Sequence, residues 1–195
     1  KGVMLSQANI GLDMTLGMYN FDITMKTLHV LPPHHTFGST VNYVGHLSQG
    51  CEVYISNGIK HVSDEIREQQ PTHLILVPAF LEVMNRKIWT TARKSGKEGL
   101  LKVMMKVSDG LRKIGIDIRR KLFSSLLNAF GGKLELIICG GAKLDEEIIR
   151  TFDSLGITIL NGYGITECSP LISANRNRYR KKGSVGTPIL ACRVK

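Results

Sequence analysis

An α/β domain, with a parallel or mostly parallel sheet and helices on both faces, is the fold class this sequence predicts, and two observations predict it. Short apolar runs alternate along the chain with stretches of helical spacing, the rhythm of repeated βα units. Two of the later runs, Leu134 to Cys139 and Gly156 to Leu160, each empty into a glycine-bearing loop, Gly140-Gly141-Ala142 and Asn161-Gly162-Tyr163-Gly164. Loops of that kind at the carboxyl ends of neighbouring parallel strands form a ligand crevice.

The elements follow in order. Ser6 is placed to cap a helix running to about Asn20, with Ile10, Met14 and Met18 four apart on one face, although Gly11 and Gly17 weigh against it. Thr27 to Leu31 reads as a strand that Pro32-Pro33 stop, and the two prolines hold an extended loop before His34-His35. Thr36 to Ser48 has helical spacing in Val41, Val44 and Leu47, and Cys51 to Ile55 reads as the next strand. Ser63 opens a short helix, with Asp64 and Glu65 in its first turn, that Pro71 ends, and Leu74 to Val77 is a buried strand.

Ala79 to about Arg93 is a further helix, followed by the least typical segment, Glu98 to Phe130. Leu100, Met104, Val107, Leu111, Ile114 and Ile118 recur at steps of four and three and predict one apolar face, with Lys102, Lys106, Arg112, Lys113, Arg119 and Arg120 around the rest. A break is expected near Gly115, which gives a helical hairpin or a kinked pair of helices on the sheet. The βα rhythm then resumes with Leu134 to Cys139, a helix from Asp145 to Leu155, and Ile157 to Leu160; a strand near Leu171 to Ala174 and a basic turn close the pattern.

The chain has 195 residues, 43% of them apolar, which suits a single domain with a real core. Its formal charge is +10, concentrated in Lys97 to Lys121 and in Arg176 to Lys182. Such an excess can mark nucleic acid, anionic lipid or an acidic small molecule, but most often it is a solvated surface. Four widely spaced cysteines form no C-x-x-C pair and predict a reducing, cytoplasmic setting. Cys168 has no His near it in sequence and reads as a bystander. The chain has no run of 18 apolar residues long enough to span a bilayer.

The chemistry-bearing residues gather around the two glycine loops. Glycines let backbone N–H groups approach a phosphate or a flat ring, Tyr163 offers an aromatic face, Thr166 a hydroxyl, and Glu167 a carboxylate suited to Mg²⁺. The plain alternatives stand beside this: Thr166-Glu167 as the capped start of a helix, Gly140-Gly141 as a strand-to-helix turn, and Tyr163 as a core aromatic. The His34-His35 pair has no Cys, Asp or Glu in its loop and makes a poor metal pattern.

Tyr163-Gly164-Ile165-Thr166-Glu167 resembles the Y-G-x-T-E signature of adenylate-forming (AMP-binding) enzymes, closest to the long-chain fatty acyl-CoA synthetases. Lys1-Gly2-Val3-Met4-Leu5-Ser6 resembles the tail of that family's phosphate loop, Leu31-Pro32-Pro33-His34-His35-Thr36-Phe37-Gly38 its L-P-x-x-H-x-x-G motif, and Gly183-Ser184-Val185-Gly186-Thr187-Pro188 the segment beyond the signature. The resemblance implies ATP, Mg²⁺ and coenzyme A as cofactor and substrates: a carboxylate attacks the α-phosphorus, pyrophosphate leaves, and a thiol takes the acyl group.

It implies that Glu167 binds Mg²⁺ and that Thr166 donates to the α-phosphate. Tyr163 lies against adenine, alongside backbone from Gly140, Gly141, Ala142, Gly162 and Gly164, and the Asn161 amide meets the adenine edge. His35 stands near the bound carboxyl group, with His34 where many relatives carry an aromatic residue, and Lys1 is the phosphate-loop lysine. The expected organisation is the central part of the adenylating domain, with a helical insert over about 85–132, and with the preceding phosphate loop and a C-terminal domain outside this stretch. The insert favours long-chain acids. Peripheral contact with the inner face of a membrane is compatible with it. The competing reading is a basic binding module for nucleic acid or an anionic membrane surface, but Tyr179 alone interleaves the basic positions, which leaves bases no stacking platform.

Overall fold

The computed structural model describes residues 2–23, 25–190 and 192–195. Among them are seven strands: β1 (Lys26–His29), β2 (Glu52–Ile55), β3 (His73–Leu76), β4 (Leu136–Cys139), β5 (Thr158–Gly164), β6 (Leu171–Ala174) and β7 (Thr187–Pro188). They form one sheet in the order β2-β1-β3-β4-β5-β6-β7. The first five are parallel, whereas β6 and β7 run antiparallel. The α-helices are α1 (Gln7–Met18), α2 (His46–Ser48), α3 (Val62–Gln69), α4 (Pro78–Lys94), α5 (Glu98–Lys113), α6 (Arg119–Leu122), α7 (Ser124–Asn128) and α8 (Glu146–Leu155), with a π-helical stretch over Phe37–Gly45.

The central strands are buried on both sides, so their residues alternate between two cores. Leu74, Leu76, Ile137, Cys139 and Ile159 point into the core under α3, α4, α5, α7 and α8. Ile75, Leu136, Ile138 and Leu160 point into the other, beneath α1 and the π-helical stretch. Near-continuous apolar strands are what a doubly covered parallel sheet requires. The expected α/β class is therefore the observed one.

Local chemistry explains the helix ends. Ser6 caps α1 in a reciprocal pair with Asn9, whose backbone N–H donates to Ser6 Oγ at 3.1 Å while Ser6 N donates to Asn9 Oδ1 at 3.0 Å. Gly17 is not the helix weakness the sequence suggests: a Cβ there would come 3.0 Å from Leu171 Cδ2, so the missing side chain lets α1 press on β6. The Asp145 carboxylate accepts from Glu147 N at 2.8 Å and opens α8, and Gly156, at φ 90°, closes it.

Three expectations are corrected. Asn161-Gly162-Tyr163-Gly164 is not a loop: β5 continues through it, because β6 returns antiparallel and supplies partners. The face of α5 that is buried is Leu101, Met105 and Ser108, one residue round from the predicted stripe, and Leu100, Val107 and Ile114 are exposed. The apolar stripe is wider than the surface available to cover it.

The third correction concerns the basic clusters, which are not simply a solvated surface. Arg112 Nη1 and Arg180 Nη2 each donate to the Asp153 carboxylate at 3.0 Å, Arg119 Nη1 donates to the Asp153 carbonyl at 2.6 Å, and Lys182 Nζ lies 3.4 Å away. Two basic segments far apart in sequence meet on one acid of α8. Burial raises the Asp153 carboxyl's pKa, but the Arg112 hydrogen bond and the charges of Arg112, Lys182 and Arg180 outweigh that and hold it below the usual range. The expected break at Gly115 is present, at φ 84°.

Candidate active site

The carboxyl ends of β1, β3, β4 and β5 face one edge, and the expected site residues in the described part of the chain are distributed along it. After β1 the chain turns at Pro32-Pro33; His35 N donates to the Pro32 carbonyl at 3.1 Å and Ser39 N to the His35 carbonyl at 2.9 Å. Gly38 must be glycine for this turn, since a Cβ would run into the Pro32 carbonyl. Phe37 N donates to His35 Nδ1 at 3.2 Å, so a neutral His35 carries its hydrogen on Nε2, on an exposed side chain. His34 is exposed as well.

Phe37 couples this loop to the one after β4. A Cβ at Gly140 would come 3.1 Å from the Phe37 ring, so the aromatic and the glycine share one space across the intervening β3. Gly140 is buried with its N–H 3.3 Å from the Leu76 carbonyl, and Gly141, at φ 90°, turns the chain so that Gly141 and Ala142 are exposed. Cys139 is no nucleophile, since burial pushes its thiol up to about 12.

The signature begins beside that loop. Asn161 pairs with Cys139 in the parallel β4–β5 ladder, and its Oδ1 is buried without a hydrogen-bond partner among the described residues. Gly162 and Tyr163 pair with Ala174 and Ser173, after which the register shifts. The shift has a steric cause at Gly164, where a Cβ would overlap the Pro170 carbonyl, and Ile165 N donates to that same carbonyl at 2.9 Å. The displaced chain turns into a 3₁₀ segment, Thr166–Cys168. Tyr163 is 49% exposed, Thr166 half-buried, and Glu167 exposed.

Glu167 takes part in no ion pair among the described residues, and they contain no group of three or more His, Cys, Asp or Glu that could hold a metal by itself. A lone free carboxylate suits Mg²⁺, which keeps waters and binds through one or two carboxylates plus substrate phosphates. The orphaned Asn161 oxygen likewise suits an exocyclic amine as donor. Lys1 lies outside the described residues.

Some residues that shape the site carried no signal in the sequence. Asp13 of α1 is 5% exposed and accepts from Leu171 N at 3.0 Å, tying α1 to the strand that follows the signature; burial pushes its carboxyl up to about 7 against that hydrogen bond. Asn175 Nδ2 donates to the Ser184 carbonyl at 2.6 Å, and a Cβ at Gly186 would overlap the Ala174 backbone, which seats Gly183 to Pro188 against β6. An isolated Asp in an amphipathic helix looks like solvent-facing punctuation. Only the neighbour across 158 residues makes it otherwise.

The family model for AMP-binding enzymes matches residues 1–195. Two curated relatives are the probable chloroplastic acyl-activating enzyme 16 of Arabidopsis thaliana, 27% identical over 97% of this chain and 32% of its own length, and the long-chain-fatty-acid–CoA ligase 5 of Rattus norvegicus, 26% identical over 97% and 29%. The chain thus spans about a third of the length of these relatives. Among solved structures, the N-terminal domain of FACL13 from Mycobacterium tuberculosis superposes with a TM-score of 0.68 at 18% identity, over 97% of this chain and 41% of that one, and so shares the fold. With its Gly140-Gly141 loop and signature on one edge of such a sheet, the chain belongs to the AMP-binding enzyme family.

Proposed function

We propose that this chain is the central part of an adenylating domain that activates a long-chain fatty acid with ATP and hands the acyl group to the thiol of coenzyme A. The observation that carries the reading is the unpaired state of the edge. Glu167 has no cationic partner among the described residues, the Asn161 Oδ1 has no donor, and Gly141 and Ala142 present backbone to solvent. Groups left unsatisfied together at the carboxyl ends of parallel strands await a ligand.

In the proposed reaction a carboxylate oxygen bonds to the α-phosphorus and the bond from that phosphorus to pyrophosphate breaks; the thiolate then attacks the acyl carbonyl and AMP leaves. Mg²⁺ would neutralise phosphate charge. Glu167 would hold that ion, the Thr166 hydroxyl would donate to an α-phosphate oxygen, and Tyr163 would stack on adenine beside Gly140 and Gly141. The His35 Nε2–H would donate to the incoming carboxylate. Both reactants are anions, so fixed donors and cations supply most of the catalysis.

The names of distant relatives and the helical segment between β3 and β4, read as an insert, support a long-chain acid. The free state of all four cysteines supports a reducing, cytoplasmic setting. Nothing favours the basic-module alternative, because Arg112, Arg119, Arg180 and Lys182 are engaged with Asp153. Pyrophosphate exchange by the protein in its full natural length, with Mg²⁺, ATP and a panel of acids, tests the reading. Palmitate is expected to support the fastest exchange. Faster exchange with benzoate or acetate overturns the long-chain assignment, and exchange with no acid overturns the activity.

A further inference from the structure

On the side of the sheet away from Phe37, helices α3, α4, α5 and α7 leave a groove of about 780 Å³. Its walls are apolar, with Phe80, Met84, Leu101, Met104, Phe123 and Phe130 among them. The volume falls within the range of about 300–1,000 Å³ typical of small-molecule sites. The displaced stripe of α5 explains why it exists: Leu100 and Met104 line the groove, Met104 half-buried against the core and Leu100 exposed.

The charge at the mouth has one sign. Among the described residues, Lys60, Lys87 and Lys97 line the groove and no Asp or Glu does. Glu98, next in sequence, is already held by Arg93 at 3.0 Å and Lys102 at 2.8 Å. Of the four hydroxyls that line it, those of Ser63, Thr91, Ser95 and Ser125, two are engaged: Ser95 Oγ donates to the Thr91 carbonyl at 2.9 Å, and Ser63 Oγ accepts from Lys87 Nζ at 3.3 Å. A peptide laid here would find little to satisfy its own backbone groups. An alkyl chain has none to satisfy, and a terminal carboxylate matches lysines whose stems lie on apolar surface while their heads stay in water.

We propose that this groove binds a free long-chain fatty acid, at a site separate from the adenylating edge. The sheet divides the two: Leu76 lines the groove, whereas its neighbour Ile75 turns into the opposite core with Phe37. The inference does not rest on the function assigned to that edge. It adds a second place for the same chemical class of molecule, where occupancy can report fatty-acid supply independently of turnover.

The test uses the protein in its full natural length and cis-parinaric acid, a fluorescent fatty acid. Saturable binding is expected, displaced by palmitate and by hexadecyl sulfate, which cannot be adenylated, and unaffected by Glu167→Gln. Ala129→Phe and Ala79→Phe each place a ring in the groove from an exposed position. Each is expected to weaken binding at least tenfold, the equivalent of about 1.4 kcal/mol, while pyrophosphate exchange with acetate stays unchanged. Lys87→Glu is expected to weaken it about threefold, as a rim charge does. Absence of binding by the wild type overturns the proposal and means that other polypeptide fills the groove. Binding unchanged in both Phe variants, binding lost in Glu167→Gln, or probe taken up only when liposomes are present overturns it as well. Failure of adenylation with binding intact would count against the reading of the edge alone.

Discussion

Along the carboxyl edge of the sheet, Gly141, Ala142, Tyr163 and Glu167 are exposed, and Glu167 and the Asn161 amide oxygen have no partner among the described residues. Around Asp153, one carboxylate whose side chain is 7% exposed is met by Arg112, Arg119, Arg180 and Lys182. Both regions are rich in polar groups, yet one leaves them open and the other saturates them. Rigidity at the edge comes instead from backbone packed against backbone: Gly38 under Pro32, Gly164 under Pro170, Gly186 under Ala174. The edge proposed to receive a polyanion keeps its charges free and is held in shape by sterics. A site that joins two basic segments to α8 uses its charges on itself.

Glu167→Gln presses hardest on the open side of this contrast. It is expected to slow pyrophosphate exchange at saturating Mg²⁺ by about 10²–10³, the usual cost of one preorganised electrostatic group. The melting temperature should not move, because Glu167 forms no ion pair among the described residues. A variant as fast as wild type removes Glu167 from the site.

Asp153→Ala should do the reverse, destabilising the protein with little effect on exchange measured well below the melting temperature. The expected loss is about 2–3 kcal/mol in urea unfolding, under the roughly 3–5 of a fully buried pair because the arginine partners stay partly exposed. The pH dependence has a definite sign. Asp153 is depressed below its usual 3.8 in the folded state, so its contribution is present above about pH 4 and is lost as pH falls through the folded value. Asp153→Asn should flatten that acid limb, and an unchanged limb contradicts the network.

Gly164→Ala joins the two sides, since it is a packing change that acts on the site. The added Cβ must displace Pro170 or the strand, at about 2 kcal/mol, and the shift should lower exchange because Thr166 and Glu167 follow directly. Stability lost with exchange intact would show that the bulge does not position the signature.

The smallest effect is expected at Asp13. Its folded value, about 7, lies above its unfolded one, so stability is fullest below about pH 4 and falls as pH rises towards 7. Asp13→Asn keeps an acceptor for Leu171 N and should stabilise the protein by about 1 kcal/mol at pH 8, with no gain at pH 4. Thermal melts across that range decide it.

What the sequence determined by itself is the part of the structure written in short-range pattern. The apolar runs of β3 and β4, the Ser6 cap, the helix that starts at Asp145 and the break at Gly115 are all legible one segment at a time, because backbone preference and burial periodicity act within a few residues. Tertiary structure decided whatever depended on a distant partner. It made strand of Asn161 to Gly164 by bringing β6 alongside, turned the burial of α5 by one residue, and drew two basic segments onto Asp153. It also gave Asp13 its buried partner in Leu171. These are pairings across tens to more than a hundred residues, and neither propensity nor periodicity carries a term for which surfaces will meet.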